Sequence, residues 1–206
     1  MIEFWNTRYK EKTFAYGVKP NEYLKSVVEK LNLSGKILLP AEGEGRNAVY
    51  AAKNGFNVTA FDISTAGRDK ALQLAGSEKV KINYQVGALN ELNFKENSFD
   101  VIALVYAHFP SELRKEIHQK LITLLKPGGY IMVEGFSKKH LEYQKVNPEV
   151  GGPKDLELLF SKDDLLLDFN TLERISVTEE EIFLAEGLYH QGLGSVIRYI
   201  GKRKKK

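Results

Sequence analysis

Apolar positions along this chain fall into short, nearly continuous runs, separated by stretches with helical spacing. Lys36 to Leu39, Asn57 to Phe61, Val80 to Val86, Phe99 to Tyr106 and Tyr130 to Phe136 read as five strands. Asn47 to Asn54 is a small-residue helix built on Ala48, Val49, Ala51 and Ala52. Ser64 can cap a helix running to about Ala75, and Ser111 one with Leu113, Ile117, Leu121 and Leu124 on one face. A helix starting at Pro20, with Tyr23, Leu24, Val27, Val28 and Leu31 on one face, precedes the first strand. This alternation predicts a parallel sheet covered on both faces.

The pattern changes after Phe136. Lys138 to Lys154 is polar, contains Asn147-Pro148 and Gly151-Gly152-Pro153, and reads as a loop. Ser161-Lys162-Asp163-Asp164 resembles a capping box opening a short helix through Leu167. Two strands follow, about Glu173 to Leu184 and Ser195 to Ile200, around a turn holding Gly187, Gly192 and Gly194. Their closeness predicts an antiparallel hairpin. The expected organisation is one domain: an N-terminal lid and helix (1–34), a nucleotide-binding core (35–136), a variable loop and helix (137–170), a hairpin (171–202) and a basic tail (203–206).

A chain of 206 residues, 43% apolar, suffices for one buried core. The formal charge of +3 is too small to imply a nucleic-acid partner, and much of it sits in the final Lys202-Arg203-Lys204-Lys205-Lys206. That tail reads as a solvated, disordered end. The absence of cysteine excludes disulfides, thiolate nucleophiles and cysteine-ligated metal, and the four histidines show no metal-ligand spacing. No apolar run reaches the length of a membrane span and no signal pattern opens the chain. The reading is a cytoplasmic protein without membrane or metal partners.

The chemistry concentrates in Pro40-Ala41-Glu42-Gly43-Glu44-Gly45-Arg46-Asn47. Small residues between a strand and a helix let the backbone approach a ligand, and the helix N-terminus offers free N–H groups. Asp62 ends the next strand, where a carboxylate can accept hydrogen bonds from both ribose hydroxyls. The combination fits a dinucleotide or S-adenosylmethionine. Little chain remains after the fifth strand for the separate substrate domain of a dehydrogenase.

Gly43 to Ala52, Val58 to Ser64, Asn83 to Phe94, Phe99-Asp100-Val101-Ile102 and Leu125 to Tyr130 occur in an order that resembles the class I S-adenosylmethionine-dependent methyltransferases. The likeness is strongest to the tellurite-resistance (TehB-like) branch and covers about Tyr16 to Lys202. It implies a Rossmann-like α/β fold: a seven-stranded, mostly parallel sheet with helices on both faces and an antiparallel C-terminal strand. The implied cofactor is S-adenosylmethionine, held by Glu42, Gly43, Glu44, Gly45, Asn47, Asp62, Ile63, Ala88, Leu89 and Tyr106. Two positions depart from the family. Ala41 stands where an acid is expected, leaving Glu42 or Glu44 for the methionine ammonium, and Gly87-Ala88-Leu89 stands where an acid near adenine is common.

Tyr106 and His108 follow the fourth strand, where the methyl group should lie, and are the candidate catalytic residues. Trp5, Arg8, Tyr9, Tyr16 and Asn21 can form a lid, with Arg8 pairing the methionine carboxylate. His190, in the hairpin turn, can reach the same pocket, whereas His118 and His140 read as surface residues. The expected reaction is in-line methyl transfer to a small molecule, for which the lack of an obvious base pair suits a soft anion such as a thiol or chalcogen oxyanion. Arg46, or basic residues of 138–154, would hold such an anion. The alternatives are an NAD(P)-dependent oxidoreductase and a non-catalytic S-adenosylmethionine-binding module.

Overall fold

The computed structural model describes residues 1–205; Lys206, the last residue of the predicted tail, lies outside the described residues. Seven strands form one sheet: β1 (Lys36–Pro40), β2 (Asn57–Asp62), β3 (Asn83–Val86), β4 (Phe99–Val105), β5 (Leu125–Phe136), β6 (Glu173–Glu186) and β7 (His190–Lys202). Their order is β3-β2-β1-β4-β5-β7-β6. β1 to β5 pair in parallel, while β7 runs antiparallel to β5 and to β6. This is the predicted sheet.

Helices α1 (Ile2–Lys10), α2 (Glu22–Lys30), α3 (Arg46–Lys53), α4 (Thr65–Ser77), α5 (Ser111–Leu124), α6 (His140–Val146) and α7 (Lys162–Asp168) surround it. The strands are apolar on both faces because both are covered. Leu38, Ile102, Leu104, Ile131 and Val133 face one core with Leu121 and Leu165, whereas Ile37, Leu39, Val101, Ala103 and Met132 face the other with Leu24 and Ala48. The switch of face at every second residue is the two-residue period of a strand. Truncating one such leucine to alanine costs about 2–5 kcal/mol.

Several local expectations are revised. The α2 helix starts at Glu22, not Pro20, because the Asn21 side chain caps it by accepting the Leu24 N–H at 2.9 Å. Ser111 is the first residue of α5 and makes no cap; Pro110 occupies the cap position. β3 is shorter than 80–86, and β5 begins at Leu125, ahead of the predicted Tyr130. The 138–154 stretch contains α6 and a 3-10 turn, Pro148–Val150, which Asn147 caps by accepting the Glu149 N–H. The hairpin strands are longer than predicted, so Gly192 and Gly194 lie inside β7. Arg203 in the basic tail is anchored: its N–H donates to Gly129 O and its guanidinium to Asn97 Oδ1 at 2.7 Å.

The aromatic N-terminal stretch lacks an apolar period, yet it forms α1. Its stability comes from contacts: Trp5 stacks on Tyr9, and Asn6 Oδ1 accepts from Ser64 Oγ at 2.7 Å and the Ala66 N–H at 3.2 Å. α1 therefore sits across the start of α4, beside the glycine loop.

Candidate functional site

The carboxyl ends of β1, β2, β4 and β5 carry the candidate residues, as expected for an open α/β sheet. Between β1 and α3 the chain turns through left-handed backbone at alternate positions, with φ of +51° at Ala41, +61° at Gly43 and +84° at Gly45. Ala41 is thus a turn position. A Cβ on Gly45 would lie 2.5 Å from Ala71 Cβ, so glycine there lets the loop dock directly onto α4.

Both loop acids turn into the protein. Glu42 Oε1 accepts the Ala48 N–H at 2.7 Å in the first turn of α3. Its burial pushes the carboxyl up to about 7, with hydrogen bonds from Ala48 and the Arg46 charge opposing that shift. Glu44 accepts the Ala15 N–H at 2.7 Å and pairs with Lys70 at 2.6 Å, fastening the segment after α1 to α4. Glu44 therefore acts as a tether between these segments. Asn47 Oδ1 accepts the Asn21 N–H at 2.9 Å, securing the same segment.

Asp62, buried at the end of β2, accepts the Gly43 N–H at 3.0 Å and the Ser64 N–H at 2.9 Å. Burial raises its pKa against these bonds. Each oxygen retains a lone pair for a further donor. Ile63 follows it, half-buried. After β3, the Ala88 N–H is taken by Glu91 at 2.8 Å, so the amide of this expected cofactor residue is already engaged. Leu89 is buried in the core with Leu92 and Phe94 against it.

Tyr106 leaves β4 at φ +52° with its N–H on Glu134 O. Its hydroxyl is buried without a hydrogen-bond partner among the described residues. Burial, then the Glu134 and Glu186 charges, raise its pKa. Its ring lies 4.7 Å from both Phe136 and His190, and Tyr16 lies 4.5 Å from His190. These rings form an aromatic cluster beyond β4 and β5. Arg8 donates to Tyr16 Oη at 3.0 Å and lies 4.1 Å over the Tyr189 ring, joining α1 to the hairpin tip.

The histidines revise the sequence reading. His108 is not poised as a base: the Phe136 N–H donates to its Nε2 at 3.2 Å, so Nδ1 carries the proton and donates to Leu158 O at 2.7 Å. Burial pushes it down to about 4, and it stays neutral. His118 and His140 are fully buried, not surface residues. His118 joins Asp168 at 2.9 Å, beside Arg114, and staples α5 to α7. His140 accepts the Ser195 N–H and donates to Gly151 O, holding α6 under β7.

A network that the sequence did not reveal adjoins this cluster. Glu134 accepts from Asn21 and from Arg198, each at 2.6 Å, and Arg198 also reaches Glu180. Arg46 pairs with Glu186 at 3.0 Å, and Glu186 also meets His190 Nδ1 at 3.0 Å. Burial opposes ionisation of Glu186, but His190 and Arg46 outweigh it and hold the carboxyl down at about 2. Glu186 and His190 are cross-strand partners closing the turn Gly187–Tyr189. A Cβ on Gly187 would lie 2.3 Å from Ala15 O, so the tip seats on residues 15–17 only as glycine.

Residues 37–129 match the family described as a methyltransferase domain. The chain is an S-adenosylmethionine-dependent methyltransferase. The enzyme is 26% identical over 194 residues to the ubiquinone/menaquinone biosynthesis C-methyltransferase UbiE of Geotalea daltonii, covering 82% of this chain and 79% of that one. Its fold is similar to a structure described by the conversion of a disulfide bond into a thioacetal group during echinomycin biosynthesis, with TM-score 0.82, 19% identity and coverage of 99% and 92%. It is also similar to TehB of Haemophilus influenzae, with TM-score 0.69, 16% identity and coverage of 98% and 67%. The enzyme class sets aside the oxidoreductase and the non-catalytic module. Among the described residues, no helix is long and apolar enough to cross a membrane.

Proposed function

We propose that the enzyme transfers a methyl group to a small-molecule thiol, with the cofactor laid across the carboxyl ends of β1, β2 and β4. Asp62 would receive the ribose hydroxyls, the N-terminal turn of α3 with Glu42 the methionine end, Leu89 and Ile63 the adenine, and Arg8 the carboxylate. Two features support the fit: the Asp62 carboxylate keeps acceptor capacity, and the buried Tyr106 hydroxyl lacks a partner. When bound, the cofactor supplies an electrophilic methyl on a positively charged sulfur. The chain's own groups orient the acceptor and exclude water from the transfer site.

One observation carries the choice of acceptor: the side chains clustered beyond β4 and β5 are aromatic, and most of the cations predicted to hold an oxyanion are already paired. Arg46 is on Glu186, Lys138 on Asp164, Lys139 on Glu179 and Lys145 on Glu142. Tyr16, Tyr106 and Phe136 suit a polarisable sulfur better than a multiply charged oxyanion. The echinomycin-related structure concerns sulfur chemistry, which agrees. The finer kinship we propose is with the tellurite-resistance branch, with chalcogen oxyanions as poorer acceptors. A second reading, methylation of a quinol-like ring, draws on the UbiE similarity.

Labelled methyl transfer to a panel of thiols, a catechol, selenite and tellurite tests this reading. Preferred labelling of thiols is expected. Labelling of tellurite or the catechol alone would overturn it.

A further inference from the structure

The surroundings of the four histidines sort them by what their ring nitrogens have left to do. His108 and His140 spend both nitrogens on backbone groups. His118 Nε2 is free but sealed between α5 and α7 beside Phe169. His190 differs from all three. Its Nδ1 faces the Glu186 carboxylate, its Nε2 makes no hydrogen bond to any described residue, and its ring lies against Tyr16, Tyr106 and Phe136.

We propose that His190 is the general base of the transfer, taking the acceptor's proton at Nε2, while Glu186 is a positioning residue that fixes its tautomer. The acceptor is therefore a nucleophile that arrives protonated. This rests on the proposed thiol chemistry and extends it.

Glu186 is ionised, so Nδ1 carries the ring proton and donates to it, which leaves the basic lone pair on Nε2. Arg46 on the other Glu186 oxygen keeps that carboxylate from swinging away. In the transfer, the acceptor S–H bond breaks and its proton passes to Nε2. The freed sulfur pair forms the new S–CH3 bond, and the electrons of the old one return to the cofactor sulfur, cancelling its charge. The products are the methylated thiol, S-adenosylhomocysteine and a histidinium paired with Glu186, which releases its proton to solvent.

The groups facing His190 from each side agree with a neutral resting base. Glu186 favours its protonation, whereas burial, Arg46 from α3 and Arg8 from α1 oppose it, and the net direction is down. Tyr16 and Tyr106 contribute rings, and His108 and His140 are neutral.

The test compares His190→Gln with wild type at pH 7, using 2-mercaptoethanol, which is protonated there, and 4-nitrothiophenol, which is already ionised. The expected result is a loss of kcat/KM of about 100-fold with 2-mercaptoethanol, recovered as pH rises. With 4-nitrothiophenol, and in S-adenosylhomocysteine binding, the change should stay within about threefold. Glu186→Gln should show the same selectivity with a smaller loss. Equal losses for both thiols, or none, would overturn the assignment. If wild type methylates neither thiol, the sulfur reading fails, and nitrogen-15 NMR of the His190 ring decides the base. A proton on Nδ1 with Nε2 titrating supports it, and a proton on Nε2 overturns it.

Discussion

Arg46 Nη1 lies 3.0 Å from Glu186 Oε1, so one buried ion pair ties the first turn after the glycine loop to the tip of the C-terminal hairpin. The loop and the hairpin are 140 residues apart in sequence (186 − 46), yet this pair brings them together. Removing one partner leaves an uncompensated buried charge. Arg46→Ala should lower the unfolding free energy by about 3–5 kcal/mol. Urea unfolding checks this, and Glu186→Ala added to it should cost less than the sum of the two single changes.

Gly45 is held at φ +84° against Ala71. Gly45→Ala adds backbone strain of about 1–3 kcal/mol, with a steric clash on top. A clear drop in thermal midpoint and weaker S-adenosylhomocysteine binding are expected. Wild-type values for both would show that the loop does not need this close approach.

The pH dependence of stability should divide by group. The Glu42 carboxyl is raised from 4.5 to about 7, so the folded chain keeps a proton there that the unfolded chain releases. The stability linked to Glu42 is full below 4.5 and is lost as pH rises through 7, on the order of 1–3 kcal/mol. His108 and His140, lowered from 6.5 to about 4, act in the opposite sense: their share is present above 6.5 and lost as pH falls through 4. Glu42→Gln removes only the first effect. The wild-type unfolding free energy minus that of the variant should therefore grow on acidification from pH 7 to 4.5. A constant difference would contradict the raised carboxyl.

Asp62→Asn should weaken S-adenosylhomocysteine binding about 10- to 100-fold, since a charged acceptor contributes about 1.5–3 kcal/mol to a hydrogen bond. Isothermal titration checks it. An unchanged Kd would mean that Asp62 serves only Gly43 and Ser64.

The sheet was legible because its signal is local: short continuous apolar runs such as Ile37 to Leu39 or Val101 to Leu104, punctuated by Gly45, Asp62 and Gly128-Gly129. Asp62 could be placed because it ends a strand. The burial of His118 and His140 was not legible, because it depends on Asp168 and Ser195, fifty or more residues away. The same holds for Glu134, whose partners Asn21 and Arg198 come from opposite ends of the chain. Helix α1 escaped notice because its ordering comes from contacts with α4 rather than from an amphipathic stripe of its own. The Glu186–His190 pair did leave a trace, an acid and a histidine flanking a three-residue turn, but only the hairpin register gives that spacing meaning.

A crystal structure with S-adenosylhomocysteine tests the account most directly. The expected result is a ribose hydroxyl within about 2.6–3.2 Å of an Asp62 carboxylate oxygen, and the sulfur opening toward Tyr106 and His190. A ribose held away from Asp62, or a sulfur turned away from Tyr106 and His190, would contradict it.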